Sequence, residues 1–468
     1  MNKEGRRNSI QSVQLPKQSK NHFCRKLTMA GGGEVGFRVR RMEAEMVHGI
    51  NDDNKEKNKY HYYYLSNLDQ NIAVVMKTVH VYKAVEGKST EDVCRVMKDG
   101  LAKVLEYYYP CEGTLTVSQE GKLIVRCDGR GVPFVEAVAD CDLYVLGDIS
   151  IPDPEKLMKL VYQLPEHLNI FEAPLVTVQV TKFKCGGYVL GMAKNHCLSD
   201  GMAVVEFLRS WAEMARGLPL SVPPVLDRSI QLPRSPPKIE FHHDEFTEVE
   251  DVSNLTDLYK GEELQHRCFT FNVDKLTTLK EMAMQDGTVE SCTSFVVLTA
   301  FTWRARTKAL KMGPGQKTKL LFAVDGRRKM EPPLPAGFYG NGIILACCLC
   351  DAGELLNRPL SYAVELVQNT IKNTTDGYIR SVIDYFEITR ARPSLTGTLL
   401  ITAWNRLGLR LSDFGWGEAA QTGPAELPQK EVAFFLPHAK ELKSLVLVLG
   451  LPASCMNQFE ELVEDIGQ

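Results

Sequence analysis

One strand–loop–helix pattern in the middle of the chain constrains its fold more than any other feature. The apolar run Tyr188–Ala193 predicts a buried strand, and apolar residues three and four apart over 204–215 predict an amphipathic helix. Between them, residues 196–201 read His-Cys-Leu-Ser-Asp-Gly. We therefore expect His196 in a short loop at the end of a strand, with the Asp200–Gly201 pair opening the helix. A loop held by rigid elements on both sides is typical of sites that carry chemistry.

A histidine in such a loop has two interpretations. Its ordinary pKa of about 6.5 lets it accept and return a proton near neutrality, as a general base does. The alternative is a hydrogen-bonded histidine of the core, and the residues alone leave both interpretations open. A second His-x-x-x-Asp match runs from His48 to Asp52, without a strand before it or an amphipathic helix after it. We interpret that second match as a coincidence.

Length and composition favour two globular domains and exclude several classes of partner. The chain has 468 residues, more than one hydrophobic core usually holds. Its net charge of −3 is spread evenly, and no basic stripe with interleaved aromatic residues indicates a nucleic-acid surface. No apolar stretch approaches the roughly 20 residues of a transmembrane helix, so we expect no stable membrane insertion. We expect only small-molecule partners.

The cysteines indicate a reducing compartment. The chain has 13 of them, scattered through apolar segments, and free thiols of this kind suit the cytoplasm. Residues Cys347–Cys350 contain a CxxC spacing, but they continue an apolar run and lack a second Cys/His pair at zinc spacing. We interpret this run as a buried strand rather than a metal or redox site, and we expect no metal and no bound cofactor.

The texture of the sequence divides the chain into four parts. Residues 1–58 are basic and polar, which predicts a mostly disordered extension, with an organelle-targeting segment as the alternative. Residues 59–217 and 266–468 mix strand and helix patterns and predict two domains of the α/β (α+β) class. Residues 218–265 carry prolines and acidic patches in place of periodicity, which predicts a crossover linker.

Within these parts, hydrophobic periodicity predicts individual elements. Strands are predicted at 72–82, 115–117, 123–127, 175–183, 188–193, 268–273, 320–324, 343–350, 399–402, 432–436 and 444–449. Helices are predicted at 93–105, 204–215, 274–284 and 294–310.

Two motifs together resemble the signatures of the plant BAHD acyl-CoA-dependent acyltransferases. They are His-Cys-Leu-Ser-Asp-Gly at 196–201 and Asp-Phe-Gly-Trp-Gly at 413–417. The resemblance runs from about residue 60 to the C-terminus, and it includes further segments at 65–70, 108–110, 322–327 and 339–341. The first 45 or so residues match nothing in the family, and Cys111-Glu112-Gly113 stands where the family more usually has Leu-Ala-Gly.

This resemblance implies a fold and an activity. The fold would be similar to that of chloramphenicol acetyltransferase, with two domains and the active site in a channel between them. Acyl-CoA would enter as a co-substrate from one face and the acceptor from the other, with His196 between them as the catalytic base. The family also implies a monomer.

The chemistry of acyl transfer fits a lone histidine. A CoA thioester is already activated, so His196 would deprotonate the acceptor hydroxyl and then return the proton to the departing thiolate. A covalent intermediate on Cys197 or Ser199 is the alternative route.

Asp200 also has two interpretations. It could orient His196, as the acid of a Ser-His-Asp triad does. The resemblance implies instead that Asp200 turns away and pairs with Arg327, which would shape the loop. Gly201 would leave room for close approach of the substrate.

The remaining candidate residues support the site or contact substrate. Those of the second motif, expected to be structural, are Asp413, Gly415, Trp416 and Gly417. Thr402 and Trp404 match a family segment lining the acceptor pocket, and they are either hydrogen-bond donors to the oxyanion or acceptor, or ordinary strand and core residues. Leu400 and Asn341 are further candidates for substrate contact.

The acceptor is predicted to be apolar. Shikimate-acylating members of the family carry an arginine just before the Thr-x-Trp segment, whereas Arg392 lies outside that place and residues 395–401 are largely apolar. Residues 337–342, the cysteine-rich run after them and residues 248–254 resemble the branch that acts on ω-hydroxy fatty acids and fatty alcohols in cutin and suberin synthesis. We therefore predict feruloyl or caffeoyl transfer to such an acceptor. The alternatives are another alcohol, an amine such as a polyamine, or a non-catalytic relative.

Overall fold

Two large mixed sheets, a small third sheet and the helices packed on them form the protein in the computed structural model, which describes residues 36–50, 62–165, 167–441 and 443–466. The strands are β1 (Val39–Arg41), β2 (Glu45–Val47), β3 (Tyr62–Tyr64), β4 (Val75–Tyr82), β5 (Thr114–Val117), β6 (Leu123–Arg126), β7 (Val132–Ala139), β8 (Val176–Lys182), β9 (Tyr188–Asn195), β10 (Leu264–Phe271), β11 (Lys317–Asp325), β12 (Ile343–Asp351), β13 (Thr398–Ala403), β14 (Gln421–Pro424), β15 (Val432–Pro437) and β16 (Leu445–Pro452). The α-helices are α1 (Asn67–Gln70), α2 (Val93–Leu105), α3 (Pro154–Leu157), α4 (Gly201–Ala215), α5 (Leu255–Gly261), α6 (Val273–Met284), α7 (Ser294–Ala309), α8 (Ala352–Asn357), α9 (Leu360–Asn373), α10 (Asp376–Thr389) and α11 (Ala453–Glu464).

The first sheet has the order β1-β7-β8-β9-β4-β14, with β2 also paired to β7. Its strand β9 is buried on both faces, which explains why it reads as an almost continuous apolar run. Leu190 and Met192 pack into the cluster that includes α2 and α4, whereas Val189 and Ala193 pack into the cluster on the opposite face. The strand β9 therefore delivers the residue that follows it, His196, from the middle of a rigid sheet.

The second sheet has the order β10-β16-β15-β13-β11-β12. One of its faces packs against α6, α7, α9 and α11, and Trp303 of α7 is fully buried there. The indole N–H of Trp303 donates to the hydroxyl of Thr318 at 2.9 Å, so its polar atom is satisfied in the core. The opposite face carries a smaller apolar cluster around Phe434 and Val448. The third sheet is β3-β6-β5.

Strand β14 crosses between the two halves of the chain. It comes from the C-terminal half but pairs antiparallel with β4, with Gln421 opposite Val81 and Pro424 opposite Thr78. This pairing covers the free backbone edge of β4, which an unpaired edge strand would leave open. The described residues from Phe37 onward form one compact unit, and the division into two domains and a linker stays a prediction.

The prediction of disorder for residues 1–58 is wrong where the structure describes that segment. Strands β1 and β2 pair antiparallel with β7, and the ring of Phe37 lies 6.3 Å from that of Phe183. The segment is ordered because β7 offers backbone groups that can be paired, a tertiary effect that its polar composition hides. The rest of the predicted extension, including the proposed targeting segment, lies outside the described residues.

Most other predicted elements are found within a few residues of their predicted bounds. The predicted linker is more structured than its composition indicates, because α5 forms within it and Arg228, His243 and Phe246 are buried. Strand β7 and helices α8 to α11 are additions that the periodicity analysis does not contain, and Pro133 near the start of β7 weakens its strand pattern. None of the helices in the described ranges is both long and apolar enough to cross a membrane.

Gly191 in β9 provides a test of how tightly this sheet is packed. A Cβ atom added there would lie 1.9 Å from the carbonyl oxygen of Leu160, so the backbone would have to move. We expect Gly191→Ala to lower the free energy of unfolding by about 2 kcal/mol or more, measured by urea denaturation. Gly261→Ala is the control, because no atom lies within 4 Å of its added Cβ. Equal stability of the two variants would contradict the packing described.

Candidate active site

The candidate site is built on the predicted strand–loop–helix, which the structure contains. Strand β9 ends at Asn195, residues His196–Leu198 form a 3-10 turn, and α4 begins at Gly201. The Asn195 side chain accepts a hydrogen bond from the Cys197 backbone N–H at 3.1 Å, which starts the turn. The turn thus holds His196 between the sheet and the helix.

His196 is partly exposed and carries no carboxylate on its ring. Its backbone N–H donates to the Val74 carbonyl at 2.8 Å, which fixes the turn to β4. Burial lowers the pKa of His196, and the nearby Lys194 lowers it further, although Asp200, its own carbonyl and Asn341 act in the opposite direction. The ring is therefore neutral near pH 7, which is the form that a base requires.

Lys194 is a buried cation beside the base. It lies two residues before His196, its Nζ atom contacts the Ser199 hydroxyl, and it sits 5.0 Å from the centre of the Tyr339 ring. Within the described ranges it pairs with no carboxylate, and burial lowers its pKa to about 8. The sequence analysis does not single out this residue, although a lysine in an otherwise apolar strand is a signal that could have found it.

Asp200 and Arg327 form the predicted salt bridge. The guanidinium donates from both Nη atoms to the two carboxylate oxygens, each at 2.8 Å, and Asp200 is 1% exposed. The carboxylate also accepts the backbone N–H groups of Ala203 at 3.1 Å and Gly342 at 2.8 Å. Burial opposes ionisation, but Arg327 and these N–H groups hold the pKa of Asp200 below its ordinary value. The alternative, Asp200 orienting the His196 ring, does not match this geometry.

Gly201 has a different neighbour from the one expected. A Cβ atom at this position would lie 2.7 Å from a methyl group of Leu407. The prediction that Gly201 leaves room for substrate is therefore wrong in its reason. The glycine leaves room for Leu407, which follows β13 and brings that segment against the start of α4.

The two alternative nucleophiles are both buried. Burial raises the pKa of Cys197 well above its ordinary value, and the residue is fully inaccessible. Ser199 is 1% exposed, and its hydroxyl contacts the Lys194 ammonium group. A buried thiol and a hydroxyl bound to a cation are poor nucleophiles, so the geometry favours direct transfer over a covalent intermediate.

A buried network lies under the His196 turn. Asp69 accepts hydrogen bonds from Arg228 Nε at 2.9 Å and from Asn341 Nδ2 at 2.7 Å. Asn341 Nδ2 also donates to the His196 carbonyl at 2.9 Å. The structure therefore places Asn341 inside the protein, with its amide N–H group used internally, and contact of this residue with substrate stays a prediction. The sequence analysis does not identify Asp69 or Arg228 as site residues.

The second motif packs as a loop. Asp413 Oδ1 accepts the backbone N–H groups of Gly415 and Gly417, each at 2.8 Å, and both glycines have the positive φ that favours glycine. The Trp416 indole N–H donates to the Ser89 carbonyl at 2.9 Å, next to the start of α2. These contacts agree with a structural role for the motif.

Three substrate-contact candidates share one face of β13. Side chains alternate along a strand, so Leu400, Thr402 and the following Trp404 lie on the same side. Leu399 and Ile401 point the other way into the core, so the apolar wall predicted for residues 395–401 is reduced to Leu400 on this face. The Trp404 indole N–H donates to Thr402 Oγ1 at 3.2 Å. Only the Thr402 hydroxyl hydrogen is therefore free to reach a substrate.

An apolar cleft lies close to the base. It is lined by Leu68, Ile72, Phe246, Ile343, Leu345 and Pro393, among others. Leu68 precedes Asp69, which is linked through Asn341 to the carbonyl of His196. The cleft offers apolar surface to a substrate near the candidate base.

The cysteine-rich run forms strand β12, as predicted. Cys348 and Cys350 are part of the core, and burial raises the pKa of each to about 12. Within the described ranges, no three His, Cys, Asp or Glu side chains lie close enough together to hold a metal ion. His48 contacts the Gly129 carbonyl at 3.1 Å, and its motif partner Asp52 lies outside the described residues.

The Asp200–Arg327 pair gives a stability prediction. Arg327→Met leaves a buried carboxylate without its cation and should lower the free energy of unfolding by roughly 3–5 kcal/mol at pH 7. Since the folded-state pKa of Asp200 is lowered, its contribution is complete above its unfolded pKa of about 4 and is lost as the pH falls further. The variant and the wild type should therefore converge in acid.

Urea denaturation between pH 3 and pH 7 measures this difference. Arg95→Met is the control, since the Arg95–Asp92 pair at 3.0 Å is mostly exposed and should contribute less than about 1 kcal/mol. A loss for Arg327→Met no larger than for Arg95→Met would contradict the buried pair.

Comparisons with known proteins place this geometry in a family. A family model described as the Transferase family matches residues 42–466. The chain is similar to an omega-hydroxypalmitate O-feruloyl transferase of Arabidopsis thaliana, with 55% identity over 85% of this chain and 88% of that protein. It is also similar to a fatty alcohol:caffeoyl-CoA acyltransferase of Arabidopsis thaliana, with 51% identity over 86% of this chain and 93% of that protein.

Among solved structures, vinorine synthase has a similar fold. The TM-score is 0.69 at 20% identity, over 91% of this chain and 98% of that one. The predicted fold class, mixed α/β sheets in an acyltransferase fold, is thus confirmed. Since the family model spans most of the chain and two acyltransferases are more than half identical to it, this protein belongs to the Transferase family and is an acyltransferase of the BAHD type.

Proposed function

We propose that this protein transfers a hydroxycinnamoyl group, feruloyl or caffeoyl, from CoA to the hydroxyl of an ω-hydroxy fatty acid or a fatty alcohol, with His196 as general base. One observation carries the assignment of the base. His196 is neutral and partly exposed, while the acid of its own motif is bound to Arg327. A base without an activated nucleophile beside it suits a donor that is already activated, and a CoA thioester is such a donor.

The residues support a direct transfer. His196 accepts the proton of the acceptor hydroxyl as its oxygen attacks the thioester carbonyl carbon and forms a tetrahedral intermediate. The carbon–sulfur bond then breaks, and the CoA thiolate takes the proton back from His196. The ester and free CoA are the products, and the histidine returns to its neutral form.

Thr402 is the best-placed donor to the oxyanion on β13. Its hydroxyl accepts from the Trp404 indole, which orients the hydroxyl and leaves its hydrogen free to donate. Trp404 also packs against the cluster that contains Cys197 and Leu198, so this strand end lies beside the His196 turn. A donor to the developing oxyanion lowers the barrier more than it strengthens substrate binding.

The apolar acceptor is supported by the cleft and by the relatives. The cleft around Leu68, Ile72 and Phe246 offers an aliphatic chain a place to be buried near the base. Arg392 is exposed to solvent, so it does not offer a buried cation for a small acidic acceptor such as shikimate. The two Arabidopsis thaliana relatives are named for an ω-hydroxypalmitate and a fatty alcohol.

We place this reaction in the cytoplasm, on the route to cutin or suberin, with the enzyme acting as a monomer. The free thiols of the described cysteines support a reducing compartment. Acyl-CoA and the acceptor are its small-molecule partners, and CoA is a co-substrate rather than a bound cofactor.

Release of free CoA thiol from feruloyl-CoA tests the proposal. Purified protein is offered 16-hydroxypalmitate, a long-chain fatty alcohol, shikimate and spermidine in parallel. We expect turnover with the two aliphatic alcohols, and a loss of about 100-fold or more in kcat for His196→Ala, since proton transfer at the reacting oxygen is removed.

The exposed histidine His48 supplies the control, because His48→Ala removes the other His-x-x-x-Asp match and should leave kcat unchanged. Turnover with shikimate or spermidine alone would keep the base and overturn the apolar acceptor. No turnover with several acyl-CoAs, or turnover that survives in His196→Ala, would contradict the proposed mechanism.

A further inference from the structure

We propose that Asn341 and Asp69 are positioning residues for the base: Asp69 fixes two donors, and these donors hold all three carbonyl groups of the His196–Leu198 turn. The inference rests on the proposed function of His196. It goes beyond it by assigning a catalytic effect to residues that do not touch substrate.

The turn carbonyls define the first step of the argument. Asn341 Nδ2 donates to the carbonyl oxygens of His196 at 2.9 Å and Cys197 at 3.4 Å, and Arg228 Nη2 donates to that of Leu198 at 3.1 Å. A three-residue turn whose every carbonyl is bound from below has little freedom to shift. The backbone that carries the His196 ring is therefore held by side chains distant in sequence.

A single carboxylate organises these two donors. Asp69 binds Arg228 Nε through Oδ2 at 2.9 Å, and it binds the backbone and side-chain N–H groups of Asn341 through Oδ1 at 3.1 and 2.7 Å. Asp69 and Asn341 are fully inaccessible, and Arg228 is 6% exposed. In such a buried setting an ion pair with further hydrogen bonds is rigid, and removal of one member leaves the others unsatisfied.

The three members come from three separate parts of the chain. Asp69 lies in α1, Arg228 in the proline-rich segment after α4, and Asn341 just before β12. The network therefore sets the position of the base relative to both large sheets, and small changes in such a position reduce rate strongly. The Asn341 side chain also raises the pKa of His196, against the larger lowering effect of burial.

The chain provides a matched control for each residue. Asn67 is a buried asparagine that donates to the Ile383 carbonyl at 2.8 Å and to a carboxylate of Glu387 at 2.9 Å, the same pair of acceptors that Asn341 has. Asp384 is a fully buried aspartate that binds Arg234 Nε at 2.6 Å, as Asp69 binds Arg228. Neither control contacts the His196 turn.

The experiment compares Asn341→Ala with Asn67→Ala, and Asp69→Asn with Asp384→Asn, after wild type and His196→Ala have been assayed. We expect kcat to fall about 10-fold or more in the two network variants, with KM for both substrates within about threefold. Removal of Asn341 should also move the acid limb of the pH profile of kcat/KM to lower pH. The controls should lose comparable thermal stability but keep kcat within about twofold.

The ring titration of His196 by NMR gives a readout that needs no turnover, with Asp69→Asn as the second variant if Asn341→Ala does not fold. The His196 titration should move to lower pH in Asn341→Ala and not in Asn67→Ala. An unchanged titration together with unchanged kcat in the folded network variants, or an equal loss of kcat in the controls, would overturn the inference. A wild type without turnover would instead contradict the proposed function, and the titration would still decide the positioning role.

Discussion

The buried ion pair between Asp200 and Arg327 determines what the histidine of the motif can do. Each carboxylate oxygen is bound by one Nη atom at 2.8 Å, so the acid is fully used in shaping the start of α4. The His196 ring is left without a carboxylate, and burial together with Lys194 keeps it neutral. In a Ser-His-Asp triad the acid supports the imidazolium. Here the acid supports the backbone, and the histidine works alone.

The same ion pair joins the two large sheets at the base. Arg327 follows β11 of the second sheet, whereas Asp200 follows β9 of the first. The Asp69 network makes a second connection under the same turn, and Leu407 packs over Gly201 as a third. The catalytic turn is thus fixed from several directions, and the partly exposed His196 ring is the part of it that solvent reaches. Pre-organisation of this kind fits a reaction whose donor is already activated.

The sequence predicts local elements and the motif partner well, and it predicts long-range contacts poorly. The strand before His196 and the helix after it follow from periodicity, and the resemblance to a family implies the pairing of Asp200 with Arg327. The pairing of β14 with β4 and the order of residues 37–47 depend on free strand edges elsewhere, which no local pattern reports. The roles of Lys194 and Asp69 depend on burial, which only the fold establishes.

A crystal structure with CoA and 16-hydroxypalmitate bound tests the central claim, that one neutral histidine serves both substrates, most directly. The account predicts that the CoA sulfur and the acceptor hydroxyl both lie within about 3.5 Å of His196 Nε2, with the aliphatic chain in the cleft around Leu68 and Ile72. Asp200 should remain bound to Arg327 in that complex. Substrates bound away from His196, or a His196 ring paired with Asp200 once they bind, would contradict it.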